Sequence, residues 1–307
     1  MSIVDTLLAE HPVRKTGRQK EAFRGWMVQQ AAQMGYAAQV EANGRNRNVV
    51  IGDPETAQVT FTAHYDTPPV MPWPNIVLPK NVPAFVGYQA LSVLLVLALA
   101  AALGGLAGWL VGSAEVGKSV FRIVLIGEAL LMLLGPANRN NANDNTSGVA
   151  AVMEIMARLP VQQRAKAAFI LFDNEEKGLL GSGAYARKHK AVRNGKLVIN
   201  LDCVGDGEHI LFFANKATRA LPVFHALCAA MEAQSGRRFT MNELEKSMYP
   251  SDQKHFRFGV AVCACRMSER FGYFCDKIHT AKDTVCEQVN LDFIADGLVQ
   301  FVEALTT

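Results

Sequence analysis

The chain has 307 residues, of which half are hydrophobic and 19% are charged. This length suits one large domain or two small ones with a substantial core. A net charge of +3 without a long basic run argues against a nucleic-acid partner. The densest basic stretch has the spacing of the solvated face of an N-terminal helix and contains Arg14, Lys15, Arg18, Lys20 and Arg24.

Most of the chain alternates between predicted strands and predicted helices. Strands are predicted at 37–40, 48–51, 58–63, 166–173 and 196–201. Helices are predicted at 3–35 with a break near Pro12, and at 147–159, 183–190, 218–233 and 291–305. This order predicts an α/β fold in which helices sandwich a mixed central sheet.

One apolar segment interrupts the alternation. No charged residue occurs from 81 to 114, and 119–135 is again strongly apolar. The first run exceeds the ~20 residues that span a bilayer core. Tyr88 and Trp109 lie about 32 Å apart on a helix and are placed to mark two membrane interfaces. We therefore predict an apolar helical hairpin at 76–137, inserted between the segments 1–75 and 138–307 of the α/β domain.

Cysteine usage and the N-terminal residues indicate a cytoplasmic location. The six cysteines form no C-x-x-C pair and have no zinc-knuckle spacing with histidines, which fits a reduced chain. Cys263 and Cys265 are two residues apart in an apolar run, so a strand would place both on one face. Residues 1–25 lack the apolar core of a signal peptide.

Acidic and imidazole side chains follow the predicted strands or precede a predicted helix. They come from five separate segments and comprise His64, Asp66, Asp144, Glu175, Glu176, Asp202 and His279. In an open α/β sheet, such residues meet at the carboxyl ends of the strands. Imidazole nitrogen and carboxylate oxygen are ligands that zinc accepts, and manganese or cobalt would fit the same set.

The inventory matches the requirements of two metal ions. Each metal needs about one histidine and one carboxylate of its own, and a further carboxylate must bridge the two metals. His64 with Asp202, His279 with Glu176, and Asp144 as the bridge satisfy this count. The sequence therefore predicts a site for two Zn²⁺ ions.

Two acidic residues are left over from that count. Glu175 is free to act as a base, and Asp66 can accept the other ring N–H of His64. Each signal also has an ordinary explanation, since Glu175 and Glu176 alone would form a solvated turn and Asp144 alone would cap a helix. The joint order of the residues, each at the edge of a strand or helix, favours a functional site.

Five short motifs carry a resemblance to a known family. They are His64-Tyr65-Asp66, Asp144-Asn145-Thr146-Ser147-Gly148, Glu175-Glu176-Lys177-Gly178-Leu179 with Gly181-Ser182, Asn200-Leu201-Asp202, and His279-Thr280 with Asp283-Thr284. In this order they resemble the di-zinc aminopeptidase family of clan MH, the leucyl-aminopeptidase-like metallo-exopeptidases. The similarity covers roughly residues 40–70 and 140–307.

The resemblance implies a ligand set and an activity. One metal would be held by His64, Asp202 and bridging Asp144, and the other by Glu176, His279 and the same Asp144. The peptide bond after Asp144 is often cis in this family. The implied reaction is hydrolysis of the first residue from a peptide with a free N-terminus.

The resemblance also implies roles for residues that hold no metal. Glu175 would be the general base, and Asp66 would orient His64. Tyr249 would help to hold the oxyanion of the reaction, although its spacing to the Ser251-Asp252 pair departs from the family pattern by about one residue. The apolar insert is a second departure, because relatives usually join the corresponding segments more briefly.

Alternatives remain open for both the activity and the insert. A cyclotransferase of the same fold would use one metal, and a catalytically silent membrane scaffold would be expected to have lost ligands. The complete ligand set argues against both. Residues 81–135 either associate with a membrane, which would anchor a cytoplasmic catalytic domain at the inner face of the cell membrane, or form a buried hairpin that acts as a lid or as a contact in a homodimer.

Overall fold

A computed structural model describes residues 2–71 and 73–306 of the chain. Within these residues, nine strands form one mixed sheet with helices on both faces, which confirms the predicted fold class. The strands are β1 (Ala38–Asn43), β2 (Asn46–Ile51), β3 (Val59–His64), β4 (Ala167–Phe172), β5 (Leu197–Leu201), β6 (His209–Ala214), β7 (Arg238–Glu243), β8 (Phe258–Ser268) and β9 (Gly272–Phe274). The helices are α1 (Ile3–Glu10), α2 (Gly17–Gln33), α3 (Val82–Val111), α4 (Ala114–Leu134), α5 (Gly148–Arg158), α6 (Leu180–Lys188), α7 (Lys190–Gly195), α8 (Lys216–Arg219), α9 (Pro222–Glu232) and α10 (Gln288–Ala304).

The centre of the sheet is parallel. The strand order is β1-β2-β4-β3-β5-β8-β6-β7, and β9 pairs with β8. The block β4-β3-β5-β8 is parallel, and β2 and β6 join it in antiparallel orientation. Every residue of β3, β4 and β5 is buried, as is typical of parallel strands covered on both faces. The carboxyl ends of these three strands therefore lie side by side.

Two apolar layers hold the helices on the sheet. The larger layer joins the sheet to α1, α2, α5, α9 and α10, and the smaller one joins it to α6 and α7. Helix α5 buries Val149, Val152, Ile155 and Met156, the positions that its helical spacing predicts. Helix α5 packs against β3 and β5, and a Cβ atom added at its first residue, Gly148, would overlap the Leu201 carbonyl oxygen at the carboxyl end of β5.

The strands that lead to the predicted site are where the sequence places them. The strands predicted at 58–63, 166–173 and 196–201 are β3, β4 and β5, and the helix predicted at 3–35 breaks between α1 and α2. Cys263 and Cys265 share one face of β8, with their sulfur atoms 3.8 Å apart. The sequence pattern did not predict β6 and β7.

Two residues of the basic stretch near the N-terminus are buried, so the prediction of a solvated face was wrong for them. Arg14 is completely buried and Lys20 is 5% exposed. Both side chains are paired inside the protein, Lys20 with Asp173 at 2.6 Å and Arg14 with main-chain and side-chain oxygens. A buried cation is tolerated when its hydrogen bonds are satisfied in this way.

The predicted apolar insert forms a helical hairpin. Helix α3 has 30 residues and α4 has 21, and both lie within 76–137. Of the described helices, α3 is the one that is long and apolar enough to cross a membrane. Only Ala100 and Gly104 of α3 are buried, and no residue of α4 is. The hairpin is therefore not a buried element of the α/β domain in the described part of the chain.

We expect Asn48→Ala to lower the free energy of unfolding by about 1–3 kcal/mol, because it leaves buried hydrogen-bonding groups without partners. The fully buried Asn48 side chain accepts a hydrogen bond from the Asp173 N–H at 3.0 Å and donates to the Gly181 carbonyl at 3.2 Å. Urea denaturation measures the change. Gln39→Ala, at an exposed position of β1, is the control and should change stability by less than about 0.5 kcal/mol. Equal effects of the two substitutions would contradict this role of Asn48.

Candidate metal centre

The predicted ligands meet at one edge of the sheet. His64 is the last residue of β3, Asp202 follows β5 directly, and Glu176 lies in the loop after β4. Because these three strands are neighbours, their carboxyl ends bring the side chains together. Asp144 reaches the same edge from the turn before α5, and His279 reaches it from the loop after β9.

The five side chains form two clusters that share Asp144. His64 Nε2 lies 3.3 Å from Asp144 Oδ1 and 3.6 Å from Asp202 Oδ1. His279 Nε2 lies 3.1 Å from Asp144 Oδ2 and 3.5 Å from Glu176 Oε2. In each cluster the three ligand atoms lie within 4.8 Å of one another. The structure thus groups all five residues in the pairing in which the sequence places them.

A buried turn, Ala142–Ser147, positions the shared aspartate. Asp144 and Asn145 have non-helical backbone angles within it, and the peptide bond between them is cis. Asn145 Nδ2 donates to the Leu201 carbonyl at 3.0 Å, which ties the turn to the end of β5. The Asp283 carboxylate accepts hydrogen bonds from the N–H groups of Asp144, at 3.0 Å, and of the residue before it, at 2.7 Å. The backbone of Asp144 is thereby fixed, with one carboxylate oxygen facing each imidazole.

Unusual backbone conformations are concentrated in the loops of the site. Among the described residues, four non-glycine residues have positive φ angles, and they are Asn174, Leu179, Cys203 and His279. Asn174 and Leu179 lie on either side of the two glutamates. Cys203 follows Asp202, and His279 is itself one of the five clustered residues. Such conformations cost about 1–3 kcal/mol each and persist where the surrounding structure enforces them. The site loops are therefore held in conformations that the isolated chain would avoid.

Asp66 supports the site in a way that differs in detail from the sequence-based expectation. His64 Nδ1 lies 3.2 Å from the main-chain oxygen of Asp66 and 3.6 Å from its carboxylate. The Asp66 carboxylate instead accepts hydrogen bonds from the N–H groups of Glu175, at 2.9 Å, and Glu176, at 3.3 Å. Lys20 Nζ lies 4.0 Å from the same carboxylate. Asp66 thus orients His64 mainly through its backbone and holds the loop of the two glutamates through its side chain.

Arg14 is a supporting residue that the sequence did not reveal. Its Nε donates to the Tyr65 carbonyl at 2.6 Å, and one terminal nitrogen donates to Thr146 Oγ1 at 2.9 Å and to Asn141 Oδ1 at 3.3 Å. Burial lowers the pKa of the guanidinium to about 10, which still leaves it charged near neutral pH. This side chain connects the end of β3 to the turn that carries Asp144.

Asp202 is oriented by two neighbours from the segment before β8. The Tyr249 hydroxyl donates to the main-chain carbonyl of Asp202 at 2.9 Å. Ser251 Oγ donates to Asp202 Oδ2 at 2.6 Å and accepts from Asn200 Nδ2 at 2.9 Å. Tyr249 also lines the cleft above the clusters. The structure therefore places it beside the site, with its hydroxyl engaged by Asp202, and its contact with an oxyanion stays a prediction.

Burial and crowding shift the ionisation of the clustered groups. Burial raises the pKa values of Glu175 and Glu176 well above their usual range, and neighbouring carboxylates add to the effect. Burial also acts to raise the pKa of Asp144, but hydrogen bonds with His279 and His64 outweigh it and lower that pKa. For His64, burial favours the neutral form, but Glu175 and the other acids raise its pKa well above the usual value. An acidic cluster of this kind is stabilised by bound cations.

The donor set fits divalent zinc. Each cluster supplies one imidazole nitrogen and carboxylate oxygens, which zinc takes together in catalytic sites. Asp144 presents its two oxygens to different imidazoles, as a bridging ligand must. Glu176 Oε1 is buried and has no hydrogen-bond partner among the described residues. A second metal bound by Glu176 would relieve that unpaired oxygen.

A cleft of about 350 Å³ lies over the two clusters. Its floor contains the ligands and Glu175. Its walls include apolar side chains from several loops, among them Val77, Leu179, Tyr249 and Ile278. Phe85, from the first turn of the α3 helix, also lines it. The cleft therefore joins a polar floor to an apolar wall, a combination typical of sites for small molecules or short peptide ends.

We expect a chelator to lower the melting temperature of zinc-loaded protein by several degrees. A ligand present at a hundred times its dissociation constant stabilises the folded state by about 2.7 kcal/mol, and chelation removes that stabilisation. Differential scanning fluorimetry with and without a chelator, followed by re-addition of zinc, measures the shift. Asp144→Ala is the control and should melt at the same temperature in both conditions. Unchanged melting of the wild type after verified metal loss would contradict a structural contribution of the metals.

The fold and site can be compared with those of known proteins. The model of Peptidase family M28 matches residues 128–300, which is more than half of the chain. The matched segment contains Asp144, Glu175, Glu176, Asp202 and His279, whereas His64 lies before it and joins the site through the fold. No curated protein matches the chain at a significant level.

Solved structures share the fold at low sequence identity. The glutaminyl cyclase of Porphyromonas gingivalis superposes with a TM-score of 0.61 at 16% identity, covering 98% of this chain and 96% of that one. The LapA aminopeptidase of Legionella pneumophila gives 0.57 at 13% identity, covering 98% and 70%. The glutaminyl cyclase of Fimbriiglobus ruber gives 0.54 at 14% identity, covering 99% and 94%. From the matched segment and the fold that carries the clustered ligands, the chain belongs to Peptidase family M28.

Proposed function

We propose that the chain is a co-catalytic two-zinc aminopeptidase that hydrolyses N-terminal residues from peptides. The observation that carries the proposal is the pair of three-residue clusters that share Asp144. Its two oxygens lie 3.3 Å and 3.1 Å from different imidazoles, so one carboxylate can serve two metals. His64 and Asp202 would complete one site, and His279 and Glu176 the other.

The chain supplies a base beside the metals. Zinc bound at these ligands would lower the pKa of a bound water and polarise the scissile carbonyl. Glu175 clusters with His64 and Glu176, and its main-chain N–H is held by Asp66. We assign to it the removal of a proton from the attacking water and the delivery of that proton to the leaving amine. The water oxygen first forms a C–O bond to the carbonyl carbon, the C–N bond then breaks as the amine takes up the proton and leaves, and the products are a free amino acid and the shortened peptide.

The shape of the cleft supports action at a chain end. A volume of about 350 Å³ accommodates a side chain and a few backbone atoms, but not a folded substrate. The acidic floor offers carboxylates to a free α-amine, and the apolar wall of Val77, Phe85 and Ile278 offers contacts to an apolar first side chain. We therefore propose peptides with an unblocked N-terminus as substrates.

A glutaminyl cyclase activity is the second candidate, because two of the superposed proteins are glutaminyl cyclases whose lengths are almost fully covered. In that reaction the α-amine of an N-terminal glutamine attacks its own side-chain amide and ammonia leaves, so no water is consumed. A cyclotransferase of this fold would use a single metal. The presence of both His64 with Asp202 and Glu176 with His279 around Asp144 favours the two-metal hydrolase.

One set of measurements separates the two candidates. The purified protein is analysed for metal content and assayed with a panel of aminoacyl amides and with a peptide that begins with glutamine. We expect two equivalents of zinc and release of the first residue from the amides. One equivalent of metal, together with loss of ammonia from the glutaminyl peptide and no release of amino acids, would establish the cyclase instead. Absence of both activities in metal-loaded protein would contradict either enzymatic assignment.

A further inference from the structure

We propose that the α3–α4 hairpin inserts into a lipid bilayer and anchors the catalytic domain at the membrane surface. The proposal concerns residues outside the metal centre and does not depend on the reaction that the centre catalyses. It follows from the distribution of apolar side chains over the hairpin, its dimensions, the packing of its two helices and the surface at its base.

Apolar side chains are exposed around the hairpin rather than along one stripe. The consecutive residues Val93, Leu94 and Leu95 of α3 are 58%, 60% and 62% exposed. Successive residues of a helix point about 100° apart, so these three span about 200° of its circumference. Helix α4 exposes a further set, which includes Ile123, Ile126, Leu130, Leu131 and Leu134. A single protein partner would cover one face, whereas lipid would cover all of them.

The dimensions of α3 match a membrane. Its 30 residues extend about 45 Å, which exceeds the ~30 Å hydrocarbon core of a bilayer. Tyr88 and Trp109 lie on it about 32 Å apart, at the spacing of the two interfaces where such aromatic residues are enriched. Only 11% of its most apolar window is buried, which distinguishes α3 from the core helix of a water-soluble domain.

The two helices pack as membrane helices do, through small residues. A Cβ atom added at Gly104 would lie 2.7 Å from the Gly117 carbonyl oxygen, and one added at Gly108 would lie 3.3 Å from Gly117 Cα. Close backbone contact of this kind is typical of helix pairs in lipid. Glu128 is half-buried and shares the α3-facing side of α4 with Gly117 and Phe121, since it lies 11 and 7 residues after them. The backbone position of Glu128 is therefore on the side of α4 that faces α3 and not on the side that would face lipid.

The remaining charged groups of the hairpin lie toward its tip. Glu115 and Lys118 form an ion pair of 2.8 Å in the first turn of α4. Arg122 is one turn further along, and its long side chain can extend toward the same end. A hairpin that crosses the bilayer would expose this tip to water on the far side.

The surface at the base of the hairpin has the features of a membrane interface. Met267, near the end of β8, and Phe271, in the turn between β8 and β9, are both exposed, and the Arg270 guanidinium lies 5.2 Å from the Phe271 ring centroid. Asn81 Nδ2, at the start of α3, donates to the Phe271 carbonyl, so this turn lies beside the base. No acidic residue occurs in 67–114 or 129–143, whereas Lys80 and Arg139 flank the hairpin. Exposed apolar side chains with basic residues beside them are suited to contact a membrane with anionic headgroups.

Flotation of the full-length chain with vesicles tests the proposal. Protein purified in detergent is reconstituted with phosphatidylcholine, alone or mixed with phosphatidylglycerol, and centrifuged in a density gradient. We expect it to float with both compositions and to stay bound in high salt, because the hairpin is held by apolar contacts. Brominated acyl chains should quench the fluorescence of Trp109, and Trp109→Phe should remove the quenched component. The proposal would be overturned if the protein is monodisperse without detergent, either as a monomer or as a dimer, and does not float with vesicles.

Matched variants connect flotation to the hairpin. The double substitution Leu94→Asp and Leu95→Asp should abolish binding to phosphatidylcholine vesicles. Val161→Asp removes a side chain that is 72% exposed on the α/β domain and should leave binding unchanged. Melting temperature and zinc content show whether each variant is folded. If the folded double variant still floats, another surface binds the membrane and the proposal fails. If the double variant does not fold, quenching of Trp109 in the wild type is the deciding measurement.

Discussion

Replacement of Glu175 by glutamine should lower kcat by roughly 10²–10⁴-fold while two equivalents of zinc remain bound. Glutamine has nearly the same shape as glutamate, but its amide cannot take a proton from water. Glu175 is held beside the clusters by the hydrogen bond of its N–H to Asp66 at 2.9 Å, and this bond does not involve its side chain. The substitution therefore removes the base and leaves the loop in place. Metal analysis and steady-state kinetics on an aminoacyl amide measure the two effects separately.

The controls for this variant distinguish chemistry from structure. Glu303→Gln removes an exposed carboxylate in the last turn of α10 and should leave kcat and zinc content unchanged. If Glu175→Gln loses zinc, the residue acts as a ligand or holds one, and its assignment as the base is wrong. Undiminished turnover with both metals present would likewise remove Glu175 from the proposed reaction.

The ligands could be predicted from sequence because each follows a recognisable element. His64 ends the buried strand β3, and Glu176 and Asp202 follow the buried strands β4 and β5. Parallel strands that are neighbours must end at one edge, so the order of elements places these side chains together. The sequence predicts Asp144 as the bridge because two metals need one shared carboxylate. The structure shows in addition that the Asp283 carboxylate fixes the backbone of Asp144.

The supporting residues could not be predicted because their partners lie far away in sequence. Arg14 contacts Thr146 across 132 positions, and Lys20 contacts Asp173 across 153. In sequence alone, both belong to a basic run whose ordinary environment is water. Their burial becomes apparent only when the fold brings acceptors to them. An exposed basic face and a set of buried, hydrogen-bonded basic residues have the same local sequence pattern. Only the tertiary structure distinguishes the two.

The missed strands have a related explanation. The segment His209–Ala214 is a short, fully buried run of apolar residues without alternation. Such a run is compatible with a strand or with part of a buried helix, and periodicity does not separate the two. The segment that forms β7 pairs with β6 at the edge of the sheet and is mostly half-exposed, so its pattern is weak. Both strands depend on pairing partners that are distant in sequence.

Substitution of the shared aspartate should have a larger effect on metal content than substitution of a ligand that belongs to one metal only. We expect Asp144→Ala to lose both zinc ions and all measurable activity, because each cluster takes one of its oxygens. Asp202→Ala should lose one equivalent and retain the other, since Asp202 lies 3.6 Å from His64 and belongs to a single cluster. Metal analysis after dialysis against buffer without zinc measures the stoichiometry of each variant.

The comparison of these two variants tests the geometry of the site independently of its activity. Loss of a single equivalent in Asp144→Ala would mean that the aspartate serves one metal, and the two-metal arrangement would then be wrong. A structural collapse would mimic loss of both metals, so each variant is first compared with the wild type by circular dichroism. Asp206→Ala, a buried aspartate that pairs with Lys277 at 2.9 Å and belongs to neither cluster, is the matched control and should keep two equivalents. The stepwise loss of zero, one and two ions across these three aspartates is the pattern that a bridging carboxylate requires.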